Sequence, residues 1–179
     1  MGDRFVLLDR DGTLVQDEGY THRPENYRLL PGVREGLQRL VGAGYRLAIV
    51  TNQSGIGRGY YDEAAFHAFQ RLLCDDLARA GVVIERSFFC PHLPEAGCSC
   101  RKPAPGLLHA AARELGARLA ASWMIGDGAS DAEAAARAGC RGAIVVHPGR
   151  PAPSHAPHGA VLAADVAAAA AHILATERE

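Results

Sequence analysis

Four consecutive apolar residues, Phe5-Val6-Leu7-Leu8, followed at once by Asp9-Arg10-Asp11-Gly12-Thr13, constrain this chain more than any other stretch. An uninterrupted apolar run of that length, ended by charge, fits a strand buried on both faces, as in a parallel sheet. The two carboxylates then fall at the strand's carboxyl end, where open α/β sheets place their ligands. Side chains alternate along a strand, so Asp9 and Asp11 face the same way if the extended conformation continues, and Gly12 lets the chain turn. Adjacent carboxylates repel each other. A hard divalent cation such as Mg²⁺ relieves that repulsion through oxygen ligands and keeps room for a phosphate oxygen. Asp-Gly alone is an ordinary turn signal, so the chemistry rests on the whole string.

The same grammar recurs downstream. Arg46-Leu47-Ala48-Ile49-Val50 reads as a second strand ending in Thr51-Asn52-Gln53-Ser54-Gly55, where a small hydroxyl and free backbone N–H groups can hold phosphate oxygens. Val82–Cys90 is a third strand, Ser122–Gly126 a fourth that delivers Asp127, and Gly142–His147 a fifth. Helical spacing lies between them: Val33, Leu37, Leu40 and Val41 after Pro31-Gly32; Phe66, Phe69, Leu73 and Leu77 after a cap at Asp62; Leu107, Leu108, Ala111 and Leu115 after Pro105. Ser130 and Glu133 have capping-box spacing, and an alanine-rich helix follows from about Asp165. Alternating strands and helices predict an α/β fold, a Rossmann-like, doubly wound parallel sheet with helices on both faces. With 179 residues, 48% of them hydrophobic, one domain spanning 1–179 is expected, with no large cap domain.

A net charge of −1 gives no general attraction to nucleic acid or an anionic membrane, so any phosphate site must be built locally. No apolar run approaches the roughly 20 residues that span a bilayer, and the first strand starts too early for a signal peptide, which points to the cytoplasm. In that reducing compartment the clustering of the five cysteines suggests metal rather than disulfides. Cys90, His92, Cys98 and Cys100 lie within eleven residues, and three thiols with one imidazole are a tetrahedral set for structural Zn²⁺. The spacing is not that of paired CxxC knuckles, so composition carries more weight than pattern. Arg101 and Lys102 follow directly; a planar guanidinium suits a second phosphate at the far end of a substrate. Asp131 has two readings, charge complement to a helix amino terminus or indirect support of a metal.

Asp9-Arg10-Asp11-Gly12-Thr13, Thr51, Lys102 and Gly126-Asp127 with Asp131 resemble, in order, the four motifs of the haloacid dehalogenase superfamily, most of whose members are phosphatases. The resemblance implies that Asp9 is the nucleophile, Asp11 the general acid and base, Lys102 the cation that neutralises the transferring group, and Asp9, Asp11 and Asp127 the Mg²⁺ ligands with Asp131 in support. Within that superfamily, Asp17-x-Gly19-Tyr20 and Thr51-Asn52-Gln53-Ser54-Gly55-Ile56 are similar to segments of the heptose bisphosphate phosphatases. This implies substrate contacts from Asp17, Gly19, Tyr20, Thr51, Asn52, Gln53, Ser54, Arg101 and Lys102, and removal of the 7-phosphate from a heptose 1,7-bisphosphate. Those enzymes often carry Lys where this chain has Gly128. Histidinol-phosphate phosphatases share the cysteine-histidine loop and the Arg-Lys-Pro that follows it, and are the near alternative. A phosphotransferase and a non-catalytic phosphosugar-binding module are the readings from other classes. The chain is expected to act as a monomer on a small phosphorylated sugar, without nucleic acid or membrane.

Overall fold

The computed structural model describes residues 3–177. Six parallel strands, β1 (Phe5–Leu8), β2 (Arg46–Asn52), β3 (Ile84–Cys90), β4 (Trp123–Gly126), β5 (Gly142–Val146) and β6 (Val161–Ala163), form one sheet in the order β3-β2-β1-β4-β5-β6. The chain winds outward from β1 to β3, then returns to the other side of β1 and winds out to β6. The switch point therefore falls between β1 and β4, and the crevice at their carboxyl ends is where such a sheet accepts a ligand.

Strand alternation divides the core. Val6 and Leu8 of β1 join Leu47 and Ile49 of β2 beneath α1 (Val33–Gly42), α3 (Glu63–Arg79) and α6 (Val166–Thr176). Phe5, Leu7, Ala48 and Val50 point the other way, towards α4 (Gly106–Leu115) and α5 (Ala129–Ala138). Both faces of β1 are covered, which is why its sequence is apolar throughout; each fully buried Leu, Val or Phe contributes about 1.5–3 kcal/mol.

Helix starts follow local chemistry. Asp62 Oδ1 accepts from the Ala65 N–H at 2.8 Å, so the cap predicted there forms, and Asp165 Oδ1 caps the last helix in the same way through the Ala168 N–H at 2.8 Å. The expected Ser130–Glu133 box does not. Helix α5 begins at Ala129, placing Ser130 inside it, and the Asp131 carboxylate instead accepts from the Gly128 N–H at 3.1 Å. Strand β2 runs past its apolar stretch because Thr51 and Asn52 pair with Phe89 and Cys90. The single turn α2 (Ser54–Gly57) and the three-residue β6 were not anticipated. Among the described residues, no helix is long and apolar enough to cross a membrane.

Candidate active site

Asp9 leaves the end of β1 with its backbone N–H donated to the Ile125 carbonyl of β4 at 2.9 Å, and Asp127 leaves the end of β4. One carboxylate oxygen from each of Asp9, Asp127 and Asp131 lies within 4.8 Å of the others. Lys102 enters this group from the loop after β3. Its ammonium, almost wholly buried, bonds Asp9 Oδ1 at 2.8 Å, Asp131 Oδ1 at 2.6 Å and the Val50 carbonyl at 2.8 Å. Burial opposes the charge on Lys102, but the two carboxylates outweigh it and raise its pKa. At Asp127, burial and then the charges of Asp9 and Asp131 push the carboxyl up to about 6, against the pull of Arg150. Burial also raises Asp131, with Lys102 opposing. Three carboxyl groups around one ammonium leave an excess of negative charge on hard oxygen donors, a set that fits a divalent cation such as Mg²⁺.

Two glycines make the crowding possible. A Cβ on Gly126 would come 2.2 Å from Asp131 Cγ, and one on Gly12, whose φ is +76°, would come 2.3 Å from Asp127 Oδ2. Any side chain at either place would stand where a carboxylate now stands.

Asp11 was expected to join Asp9 as a metal ligand, yet its carboxylate lies outside the cluster of Asp9, Asp127 and Asp131. The chain leaves the extended conformation just after β1, with the N–H groups of Leu14 and Val15 turning back to the Arg10 carbonyl, so the two-residue alternation does not carry through. Arg10, fully buried, then takes hold of Asp11. Its Nε and one terminal nitrogen donate to the two carboxylate oxygens at 2.8 and 2.9 Å, and the same nitrogen donates to the carbonyl of Thr21 at 2.6 Å and to Gln53 Oε1 at 3.1 Å. The guanidinium carbon sits 4.9 Å from the Phe69 ring centroid and 5.4 Å from that of Phe66, so aromatic faces line the rest of its pocket. Burial raises the pKa of Asp11 and Arg10 opposes it. Sequence reasoning passed over Arg10; its position between two aspartates was the available signal.

Asp9 and Asp11 nevertheless open into one cleft of about 420 Å³, with Asp17, Gly19, Tyr20, Asn52, Gln53, Ser54, Tyr61 and Asp127. The structure thus brings the Asp17–Tyr20 segment over the acidic cluster. Asp17 Oδ1 caps the Gly19 N–H at 2.9 Å, Tyr20 adopts a left-handed φ of 58°, and the His22 ring stacks on Tyr61 at 4.3 Å. A left-handed non-glycine residue costs on the order of 1–3 kcal/mol and is held only by its surroundings. Polar groups along β2 are already engaged. Asn52 donates to the Lys102 carbonyl and accepts from the Lys102 N–H, both at 3.0 Å. Gln53 Nε2 bonds Asp11 and Thr51 at 2.9 Å, and its carbonyl accepts from the Tyr61 hydroxyl at 2.6 Å. Thr51 is buried beside them, and Tyr61, missed in the sequence, completes this network.

Beyond β3, the donors of Cys90, His92, Cys98 and Cys100 converge. Sulfur–sulfur separations are 3.1–3.6 Å, and His92 Nδ1 lies 3.4 and 3.2 Å from Cys90 and Cys100. Soft thiolates with one imidazole in this cage suit a four-coordinate Zn²⁺. Burial works against all three thiolates. At Cys98 the backbone N–H of Arg101 and the neighbouring thiols overcome it and hold the thiol at about 6, whereas Cys90 and Cys100 are pushed up. Arg101 stands next to this cage, its guanidinium 3.5 Å from the His92 carbonyl.

The profile of the haloacid dehalogenase-like hydrolase family matches residues 16–139, and the chain belongs to that family. It is 41% identical over 164 residues to the D-glycero-beta-D-manno-heptose-1,7-bisphosphate 7-phosphatase of Photorhabdus laumondii, covering 88% of this chain and 87% of that protein. With the protein of the same name from Escherichia coli K12 it shares 38% over 153 residues, 82% and 80% of the two chains. Its fold is similar to the crystal structure of D,D-heptose 1,7-bisphosphate phosphatase from B. bronchiseptica in complex with magnesium and phosphate, at a TM-score of 0.84 and 34% identity over 97% and 99% of the chains.

Proposed function

We propose that this chain is a Mg²⁺-dependent phosphatase that removes the 7-phosphate of D-glycero-D-manno-heptose 1,7-bisphosphate and leaves the heptose 1-phosphate. The observation that carries the reading is the convergence of Asp9, Lys102, Asp127 and Asp131 at the switch point of a sheet shared with relatives named for that reaction. Asp9 is the nucleophile: its free oxygen bonds to phosphorus as the bond from phosphorus to the sugar oxygen breaks. Asp11 gives its proton to that departing oxygen, then takes one from the water that cleaves the aspartyl-phosphate and frees inorganic phosphate. Lys102 and Thr51 stabilise the equatorial oxygens, and Arg10 fixes the plane of the Asp11 carboxyl. Asp9 and Asp127, with Asp131 beside them, would hold Mg²⁺, whose chemistry is charge neutralisation on the transferring phosphoryl group. Asp17, Gly19, Tyr20, Asn52, Gln53, Ser54 and Arg101 form the sugar-facing wall.

The domain is taken to extend over the whole chain, 1–179, with the 90–100 loop as a zinc-bound elaboration. Cys90, Cys98 and Cys100 converge with His92 as a metal-ligating set, and thiols kept for metal suit a reducing compartment such as the cytoplasm. Initial rates with heptose 1,7-bisphosphate and with L-histidinol phosphate, compared side by side, test the substrate. The expected result is a kcat/KM at least about tenfold higher for the bisphosphate, equal to a gap of about 1.4 kcal/mol. A preference for histidinol phosphate would reject the heptose assignment in favour of the relative that shares the cysteine-histidine loop.

The zinc assignment is tested separately. Metal analysis of the purified protein is expected to give one Zn²⁺ per chain. Its removal by a chelator should lower the thermal midpoint and make the 90–100 loop cleavable by protease, because three thiols and a histidine lose the ion that fixes their spacing. An unchanged melt after complete zinc loss would mean that the loop holds its own shape.

A further inference from the structure

Two groups at the cleft, the Thr51 hydroxyl and the Asp11 carboxyl, serve the reaction only while their protons are held for the substrate, and such protons can turn to other acceptors. Gln53 touches both. It lines the cleft yet is only 2% exposed, and each end of its amide is spent on protein. The carbonyl oxygen accepts from the Tyr61 hydroxyl at 2.6 Å and from a terminal nitrogen of Arg10 at 3.1 Å. A guanidinium offers no acceptor, so the amide cannot be turned end for end. Burial pushes Tyr61 up to about 12, and its hydroxyl keeps the proton that it donates. The amide nitrogen is thereby committed to Thr51 Oγ1 and Asp11 Oδ2, both at 2.9 Å. In that bond Thr51 accepts, and among the described residues its hydroxyl makes no other hydrogen bond, so its own proton is left for a phosphoryl oxygen. Asp11 Oδ2 accepts from Gln53 and from Arg10, whereas Oδ1 accepts only from Arg10 Nε, at 2.8 Å. The free lone pair, and with it the place for the carboxyl proton, is on Oδ1.

We propose that Gln53 is a positioning residue for phosphoryl transfer, its amide locked by Arg10 and Tyr61 so that Thr51 is held as a donor and the Asp11 proton is kept on Oδ1. The inference rests on the phosphatase reading above. It gives Gln53 an indirect part in the cleft wall, since neither end of its amide is free to meet the phosphoryl group.

The test is Gln53→Glu, which keeps the shape but replaces the amide donor by an acceptor, with Gln53→Met, which removes the donor and adds no acceptor. Initial rates are measured on heptose 1,7-bisphosphate, whose sugar oxygen must be protonated as it leaves, and on p-nitrophenyl phosphate, whose phenolate leaves without a proton. On the bisphosphate, Gln53→Glu is expected to lower kcat by about 10²- to 10³-fold with KM within about threefold of wild type, and to slow the aryl ester about tenfold less. Gln53→Met should show the same split with a smaller loss, and it carries the comparison if a thermal melt shows that Gln53→Glu does not fold. A merely distorted site would slow both esters alike. Equal losses on the two esters, a change confined to KM, or a Gln53→Glu enzyme with wild-type kcat overturns the proposal while leaving the phosphatase reading intact. A wild type that hydrolyses the aryl ester but not the bisphosphate overturns the heptose assignment alone, and L-histidinol phosphate, also an alkyl ester, then takes its place in the comparison. A wild type that hydrolyses none of the three overturns both.

Discussion

Replacing Asp9 by Asn is expected to lower phosphate release by roughly 10⁴- to 10⁶-fold, the range seen when an enzyme loses its nucleophile, without unfolding the protein. An amide does not attack phosphorus, and among the described residues the other carboxylate paired with Lys102, Asp131, belongs to α5 rather than to the end of β1. Stability should move the opposite way from activity. Lys102 keeps Asp131 at 2.6 Å and the Val50 carbonyl at 2.8 Å, while one of three mutually repelling carboxylates disappears. The thermal midpoint of Asp9→Asn without Mg²⁺ should therefore equal or exceed that of wild type. Turnover within tenfold of wild type would remove Asp9 from the mechanism.

Lys102→Met should be the most destabilising single change at the site. It leaves Asp9 and the buried Asp131 facing each other without a counter-charge, and breaking a buried pair by removing one partner costs about 3–5 kcal/mol. For a chain of this size that lowers the thermal midpoint by roughly 6–20 °C. The loss should depend on pH with a definite sign. Burial already raises the Asp131 carboxyl and Lys102 is what opposes that shift, so the variant's Asp131 rises further above its unfolded value. A raised carboxyl contributes its stability below the unfolded pKa and loses it as pH climbs through the folded one, so the variant should lie nearest to wild type in acid and fall away as pH rises. Melts of both proteins across that range check it; a constant gap would show that the charges on Asp9 and Asp131 are compensated elsewhere. Activity should fall with the lost ammonium, which at ~4 Å supplies roughly 4 kcal/mol at an effective dielectric of 20.

The large features of this molecule were legible because they follow from repeating physical patterns. Phe5–Leu8 is apolar at every position because both of its faces are covered, and that alone implies a parallel sheet with ligands at its carboxyl ends. Cys90, His92, Cys98 and Cys100 announce themselves by chemical type, and they do converge. What escaped depends on backbone geometry that spacing does not encode. Asp9 and Asp11 look equivalent on a two-residue period, but the turn back to the Arg10 carbonyl separates them and gives Asp11 to Arg10. Val161–Ala163 is too short to show a pattern and exists as a strand because β5 offers it an edge. Asn52 and Gln53 read as free polar groups, whereas Lys102 and Arg10, which engage them, are remote in sequence, and Tyr61 reaches Gln53 only because the chain folds back after the single turn α2.

Asn52 meets the chain twice. Its backbone pairs with Cys90 at the end of β3, and its side chain clasps the peptide of Lys102 in both directions. Segment 91–101 is thus a closed excursion that departs from and returns to a single mooring post. Its length is uncoupled from the placement of the ammonium, and each doubling of such a loop costs only about 0.6 kcal/mol in closure entropy. Descendants of this chain are free to lengthen, shorten or re-ligate that excursion, and so to reshape what reaches the cleft, while the phosphoryl-handling machinery stays in register.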